Sequence, residues 1–135
     1  MRRLVALVLG LALLIGLFAM SSAETAPEVR KLKLASHNAE IEGNPYRVRY
    51  ELDIQEAAAA AIEKGFEISY SSFVSNWDPA IETQQLQNSI NEGYDIILVN
   101  PVASTGLDPI IEKALDAGIT YINVDCEYYS DKILN

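Results

Sequence analysis

The chain of 135 residues has room for one hydrophobic core, and two independent domains are excluded, because a globular protein of this size buries only roughly two-thirds of its unfolded surface. Its 19 acidic and 10 basic residues give a net charge of −9, which repels nucleic acid and anionic membrane surfaces. A lone cysteine, Cys126, excludes an internal disulfide and any metal site built on paired cysteines.

The first 23 residues have the composition of an export signal. Arg2 and Arg3 precede an apolar stretch over residues 4–20, and the small residues Ser21, Ser22 and Ala23 follow it. Cleavage after Ala23 predicts a secreted, periplasmic protein, whose charge becomes −11 because both arginines are lost. An uncleaved membrane anchor is the alternative, since the apolar stretch reaches the short end of the roughly 17 to 25 residues that span a bilayer.

Three helix–strand units follow the signal. Each of the segments EKGFEISYSSF, NEGYDIILVNP and DAGITYINVDC places a glycine between a helical pattern and an apolar strand. The glycines Gly65, Gly93 and Gly118 suit the left-handed residue that closes a helix. KLKLASHN supplies one further strand ahead of these units, so residues 31–135 are predicted to form a βα series behind a linker at residues 24–30.

The helices also carry start signals. Asn44-Pro45 and Asp78-Pro79 each predict a capping residue followed by proline at the first helical position. The first helix is then predicted to run from Pro45 to about Lys64 and to pack one apolar face on a sheet. That face consists of Val48, Leu52, Ala59 and Ile62, and the corresponding face of the third helix consists of Leu107, Ile111, Ala114 and Leu115.

The apolar patterns distinguish central strands from edge strands. Residues 95–99, DIILV, form a nearly unbroken apolar run that is typical of a central parallel strand covered on both faces. Residues 66–71 instead alternate apolar and polar side chains, as on a more exposed edge strand. Right-handed crossovers then predict a parallel sheet with the order 2-1-3-4. This is half of a doubly wound, Rossmann-like α/β fold.

Ligands of such sheets bind beyond the carboxyl ends of the strands, where the strand order reverses. Carboxylates and amides there would bond hydroxyl groups, and an aromatic face would cover the apolar side of a sugar ring, so a neutral polyhydroxylated ligand is expected. No metal or cofactor is expected, because GxGxxG, GxxxxGK[ST] and HExxH are all absent. The candidate ligand-binding residues are Asn44, Tyr46, Trp77, Asp78, Asn100 and Asp125.

Each candidate also has a structural explanation. Asp125 suits the cap of a following turn, and Asn100 before a proline suits turn chemistry. Trp77 suits an exposed loop or the core, and Tyr46 suits core or surface packing. His37, the only histidine, is interpreted as a solvated loop residue rather than a catalyst.

Four segments together resemble a known family: NPY at 44–46, Asp78 with the helix ETQQLQNSI, GYDIILVNPVAST, and KALDAGITYINVD. Over about residues 31–127 they are similar to the first lobe of the periplasmic sugar-binding proteins of ABC importers, of the ribose-binding type. The resemblance implies a type I periplasmic binding protein, a two-lobed clamshell that traps a sugar or polyol. It also implies delivery of that ligand to a membrane permease, with a chemoreceptor as a further partner.

The resemblance implies roles for individual residues as well. The NPY stretch corresponds to the family's first ligand-contacting segment, Asn100 lies at the cleft edge, and Asp125 matches an acid that bonds sugar hydroxyls. Cys126 stands where the family often has arginine, and the loop at residues 36–43 is longer than usual, so ribose itself is not implied. Because family members have a second lobe, we expect this chain to be a truncated N-terminal lobe.

Two other functional classes fit the residues. A secreted enzyme acting on glycosides would use Asp125 with Asp78 or Glu127 as acid and base. The sugar-sensing domain of a transcription regulator shares this lobe architecture by resemblance, but the export signal and the lack of a basic DNA-binding segment argue against it. The leading hypothesis is a transport binding protein without enzymatic activity.

Overall fold

The computed structural model describes residues 28–129, in which four strands form one parallel sheet. The export signal predicted at residues 1–23 lies outside the described residues. Within residues 28–129, every helix is too short or too polar to cross a bilayer. The elements are β1 Arg30–Asn38, α1 Pro45–Ala60, β2 Phe66–Val74, α2 Pro79–Asn91, β3 Ile96–Asn100, α3 Asp108–Asp116 and β4 Thr120–Asn123.

The sheet has the strand order β2-β1-β3-β4, and all three strand pairs are parallel. The predicted order 2-1-3-4 is confirmed, with β2 at an edge and β3 inside the sheet. From β1 the chain first adds β2 on one side, and β3 then pairs with the other side of β1. The strand order therefore reverses between β1 and β3. At that point the last residues of the two strands, Asn38 and Asn100, are register partners. The fold is therefore half of a doubly wound α/β domain, with its switch point at these two asparagines.

One face of the sheet packs into an apolar core. Because successive strand residues face opposite sides, Ala35 in β1 and both Ile97 and Val99 in β3 share this face, and all three are fully buried. Leu86 of α2 belongs to the same cluster. Of the face predicted for α3, only Leu115 is exposed; the buried members are Leu107, Ile111 and Ala114.

The prediction for the apolar face of α1 is wrong. Val48, Leu52 and Ile62 are 41%, 44% and 52% exposed, and Ala59 is exposed too. The helix buries Glu51 instead. The sheet surface beneath α1 carries polar side chains. Apolar atoms placed over it would leave these hydrogen-bond donors without partners, which costs free energy, whereas a carboxylate accepts their hydrogen bonds.

His37 is buried, so its interpretation as a solvated loop residue is wrong. β1 continues through Asn38, and this places the His37 ring against Phe73 with 4.8 Å between ring centroids. Its Nε2 lies 3.1 Å from the hydroxyl oxygen of Ser89 in α2. Burial lowers the pKa of His37 to about 4, so the ring is neutral at pH 7 and belongs to the core.

Candidate functional site

Asn100 and Asp125 lie side by side at the carboxyl ends of the strands. Asn100, the last residue of β3, is 1% exposed, and its Nδ2 donates to Oδ2 of Asp125 at 2.9 Å. Asp125 follows β4, is exposed, and adopts a positive φ of 66°. The sulfur of Cys126 lies 4.0 Å from the same carboxylate oxygen. An exposed carboxylate is therefore held in place by a buried amide at the rim of the sheet.

Helix α1 places two tyrosines beside this rim. Tyr46, in the first turn, is 55% exposed, and its ring stacks on that of Tyr50 with 6.5 Å between centroids. Burial is the main reason why the pKa of Tyr50 is raised to about 12. Tyr50 directly precedes Glu51, whose carboxylate accepts from Asn38 at the end of β1, so this aromatic pair lies near the carboxyl end of that strand.

Trp77 belongs to a different part of the rim. Its indole is 53% exposed, and Nε1 donates to Oε2 of Glu40 at 3.1 Å. The guanidinium carbon of Arg47 lies 5.0 Å from the centre of the indole ring, within the range of a cation–π contact. Within residues 28–129, no hydrogen bond or ring contact joins Trp77 to Asn100 or Asp125. Trp77 lies in the loop after β2 and thus contacts the loop after β1 through Glu40.

Asn44 and Asp78 are confirmed as N-caps. Oδ1 of Asn44 accepts from the backbone nitrogen of Arg47 at 3.3 Å at the start of α1. Oδ1 of Asp78 accepts from the backbone nitrogens of Ala80 and Ile81, at 2.8 and 3.2 Å, at the start of α2. Both side chains are already engaged in holding a helix terminus, since these bonds satisfy N–H groups that have no partner inside the helix.

The sequence analysis missed a buried carboxylate beneath α1. Glu51 is 5% exposed, and its Oε1 accepts from Oγ of Ser36 at 2.6 Å and from Nδ2 of Asn38 at 2.8 Å. Its Oε2 accepts from the hydroxyl of Tyr70 in β2. No ion pair in the described part of the chain includes Glu51. Three hydrogen-bond donors therefore hold this carboxylate without a cation.

A pattern in β1 points to this cluster. Ser36 and Asn38 alternate along the strand and so share one face, which a covering helix must supply with polar partners. Glu51 is the residue of α1 that fills this need. Burial raises the pKa of Tyr70, and its hydrogen bond to Glu51 raises it further, so Tyr70 stays a donor at neutral pH.

A second buried carboxylate holds the loop that follows β3. Glu82 of α2 is 2% exposed, and its Oε1 accepts from the backbone nitrogen of Val102 at 3.0 Å. Burial raises the pKa of Glu82. The bond fixes the chain just after Asn100 and so contributes to the geometry of the rim.

Of two clefts in the described residues, one lies away from the strand ends and the other borders the ends of β1 and β2. One of about 510 Å³ lies between α2 and α3, and another of about 530 Å³ lies between the loop after β1 and the end of β2. The first is bounded by outer surfaces of helices, where Nζ of Lys113 bonds Oε1 of Gln87 at 2.8 Å. Because ligands of doubly wound sheets bind at the switch point, we assign the candidate site to the strand ends rather than to the cleft between the helices.

Comparisons with known proteins agree with the described fold. Residues 40–134 match the family described as periplasmic binding protein domain. A D-ribose/D-allose-binding protein from Pseudomonas aeruginosa is 32% identical over 60 residues, which is 44% of this chain and 19% of that protein.

Solved structures with the same fold come from other bacteria. An ABC transporter periplasmic solute binding protein from Actinobacillus succinogenes with bound D-allose has a TM-score of 0.56 and 20% identity, over 75% of this chain and 34% of that one. A periplasmic ribose ABC transporter protein from Conexibacter woesei has a TM-score of 0.58 and 20% identity, over 79% of this chain and 34% of that one.

The chain spans about a third of the length of these solved relatives and about a fifth of the curated one. The family match, however, extends over most of the chain, from the loop after β1 to beyond β4. The strand order and the switch point between β1 and β3 accord with the fold of these structures. The chain therefore belongs to the periplasmic binding protein domain family.

Proposed function

We propose that the chain binds a sugar or a related polyhydroxylated small molecule and serves an ABC importer as part of its substrate-binding protein. The observation that carries this proposal is the Asn100–Asp125 pair, an exposed carboxylate anchored by a buried amide at the switch point of the sheet. A carboxylate oxygen accepts hydrogen bonds from ligand hydroxyls, and each such charge-assisted bond contributes about 1.5–3 kcal/mol.

The composition of the rim supports a neutral ligand. The polar groups at the Asn100–Asp125 pair are amide and carboxylate, and the exposed ring of Tyr46 offers a face for the apolar side of a sugar ring. The relatives carry names that agree with this chemistry, since they are described as binding D-ribose or D-allose. The proposed ligand-binding residues are Asn44, Tyr46, Trp77, Asp78, Asn100 and Asp125, among which Asn100 and Asp125 have the strongest geometric support.

The contacts of the acidic residues favour binding over hydrolysis. Asp78 caps α2, and Oε2 of Glu127 accepts from the hydroxyl of Tyr129 at 2.8 Å. Both carboxylates are thus engaged in local hydrogen bonds, whereas a glycoside-acting enzyme needs two carboxyl groups that are available to flank one glycosidic bond. We propose that the protein is not an enzyme and that ligand leaves it unchanged.

The family and the sequence support the proposed location and partners. A periplasmic location fits the family and the predicted export signal at residues 1–23. The proposed partner is a membrane permease that receives the sugar, and a chemoreceptor is a further proposed partner.

A ligand panel tests the proposal. Saturation-transfer NMR with the full chain would use D-allose, D-ribose and L-arabinose at millimolar concentration, with an amino-acid mixture as the matched control. We expect transfer to at least one sugar and none to the amino acids. Transfer to the amino acids alone, or to no compound, would contradict the proposal.

A further inference from the structure

Strand β2 has an open outer edge. The strand order places Phe66–Val74 at the border of the sheet, and β1 pairs with its inner side over all nine residues. Within residues 28–129, no strand pairs with the outer side of β2, and none of its nine residues is buried. The outer backbone N–H and C=O groups of β2 are therefore open to pairing with another extended strand.

This edge lacks the devices by which sheets usually avoid edge pairing, such as short or bulged strands and edge lysine or proline residues. Strand β2 is nine residues long, pairs with β1 in an unbroken register, and includes no lysine, arginine or proline. Its one charged residue, Glu67, already pairs with Lys31 of β1 at 3.6 Å. The edge strand β4 has only four residues, so β2 is the longer template.

Helix α1 presents apolar side chains beside the same edge. Glu51 accepts from Ser36 in β1 and from Tyr70 in β2, so the helix lies over these two strands. In a right-handed β–α–β crossover, the side chain that follows each buried helix residue faces the outer side of the second strand. The buried residues of α1 are Arg47, Glu51 and Ala58, and the exposed residues that follow them are Val48, Leu52 and Ala59.

Together with Ile62, which is 52% exposed, these three exposed residues form an apolar row that we call the α1 flank: Val48, Leu52, Ala59 and Ile62. The α1 flank therefore lies above the outer edge of β2. One side of the molecule combines unpaired strand backbone with uncovered apolar side chains.

A second copy of this chain complements both features at once. A two-fold axis perpendicular to the sheet, placed beside the middle of β2, pairs this strand with its own copy in an antiparallel arrangement. The same operation sets the two α1 helices side by side and antiparallel on one face of the joined sheet. The α1 flank of one copy then packs against the α1 flank of the other.

The strand and the α1 flank have nearly the same midpoint. Tyr70 is the middle residue of β2, and its hydroxyl donates to Glu51, which fixes the level of the helix over the strand. The α1 flank is centred on Gln55, about one helical turn or roughly 6 Å further along α1. A single two-fold axis can therefore pass close to both midpoints.

Charges at the ends of the α1 flank complement each other in this arrangement. The exposed residues Arg49 and Glu63 lie one position beyond Val48 and Ile62. Antiparallel helices bring the start of one flank to the end of the other, so Arg49 faces Glu63 of the second copy. Because Arg49 also pairs with acids of its own helix, this contact favours the antiparallel direction more than it adds affinity.

We propose that the outer edge of β2 and the α1 flank form a self-association surface, by which two copies join their four-stranded sheets into one continuous sheet. Antiparallel pairing directs the carboxyl ends of the two sheets to opposite ends of the dimer, so both candidate ligand sites stay open. The surface is small beside the roughly 20 to 30 residues per partner of a standard interface, so the dimer dissociates at micromolar concentration. This inference does not depend on sugar binding.

Sedimentation velocity of the full chain tests the surface. Runs from about 1 to about 500 µM should show a reversible monomer–dimer equilibrium. Salt at about 0.3 M screens the net charge of −9 on each copy. Leu52→Lys places a charge within the α1 flank and should weaken the dimer by about tenfold or more. Leu115→Lys on α3 is the matched control, since the two leucines are 44% and 41% exposed, and it should associate like the parent.

Spin labels give a readout that does not depend on weakening the dimer. In a Cys126→Ser background, a label attached after Gln55→Cys lies near the proposed axis. Pulsed electron paramagnetic resonance should then show an intermolecular distance below about 25 Å, because packed helices lie about 8–10 Å apart. A label attached after Leu115→Cys should show a longer distance. If Leu52→Lys fails to fold by circular dichroism, these distances decide the question.

Three results would overturn the surface. They are a monomer at every concentration, a folded Leu52→Lys variant that associates as strongly as Leu115→Lys, and a dimer in which the label at position 55 shows the longer distance. The second result is also the one expected if the apolar residues 4–20 drive association. Failure of the sugar panel leaves this inference standing, and absence of the dimer leaves the proposed function standing.

Discussion

The Asn100 amide donates to the Asp125 carboxylate across 2.9 Å, which couples a buried residue at the end of β3 to an exposed residue beyond β4. The amide is buried at the end of a strand, whereas the backbone at Asp125 has a φ of 66°, in the left-handed region that residues other than glycine adopt infrequently. The hydrogen bond therefore helps to hold a carboxylate in a strained turn where a ligand can reach it.

Asp125→Asn should weaken sugar binding and leave folding nearly intact. The asparagine can still accept from Asn100 through its carbonyl, but it loses the charge and presents a donor in place of one acceptor. We expect affinity to fall by roughly ten- to a hundredfold. Isothermal titration with the sugar that binds best measures the change. Cys126→Ser is the matched control and should do much less, and a lowered Tm with unchanged affinity in Asp125→Asn would show that this carboxylate is only structural.

Glu51→Ala should destabilise the fold strongly. The substitution removes the acceptor of Ser36, Asn38 and Tyr70, and each buried donor left unsatisfied costs about 1–3 kcal/mol. Urea unfolding measures the loss. Glu56→Ala, at an exposed position on the same helix, should change the free energy of unfolding by only about 0.5 kcal/mol. Equal effects of the two substitutions would show that the Glu51 cluster contributes nothing.

His37 should make stability depend on pH. Its folded-state pKa of about 4 lies below the ordinary value of 6.5, so the unfolded chain binds the proton more tightly. The contribution of neutral, buried His37 to the free energy of unfolding is fully present above pH 6.5. It is lost as the pH falls toward 4, by roughly 3 kcal/mol in all.

His37→Leu isolates this contribution, because leucine does not titrate. The parent should lose stability relative to the variant as the pH falls from about 7 to about 4, as measured by urea unfolding at each pH. The loss of the contact with Ser89 adds an offset that is the same at every pH. A stability difference that stays constant across this range would mean that His37 is solvated in the folded protein.

Two leucine substitutions test the orientation of α1. Leu86 of α2 is 1% exposed, and Leu86→Ala should cost about 2–5 kcal/mol of the free energy of unfolding. Leu52 of α1 is 44% exposed, and the same chemical change there should cost well under half as much, because few of its contacts are buried. Similar losses of stability for the two substitutions, measured by thermal or urea unfolding, would show that Leu52 is buried, as the sequence predicts for α1.

The periodic features of the sequence were sufficient to predict the sheet. The apolar run of β3, the alternation in β2 and the recurring glycines specify a parallel order, and the structure has that order. The caps Asn44 and Asp78 were predictable for the same reason, since a capping bond involves only neighbouring residues. Such local patterns depend on few distant contacts.

The buried polar residues were not predictable from local pattern. Val48 and Leu52 have the spacing of a buried helical face, yet the polar end of β1 turns Glu51 inward, and this depends on residues far apart in the chain. His37 was misplaced because β1 extends to Asn38 and carries it into the core. For the candidate site, the position at the strand ends was predictable, but the hydrogen bond between Asn100 and Asp125 and the burial of Glu51 require the three-dimensional contacts.

Trp77 is the one tryptophan in the sequence, and its indole is half exposed between the charged groups of Glu40 and Arg47. The protein thus carries a built-in optical reporter at a single, known position. Its emission should be that of a hydrated indole in the free chain. A ligand that spreads over the loops after β1 and β2 would shift the emission to shorter wavelength, while one confined to Asn100 and Asp125 would leave it unchanged. The emission wavelength of Trp77 thus distinguishes ligands by how far they extend along the rim.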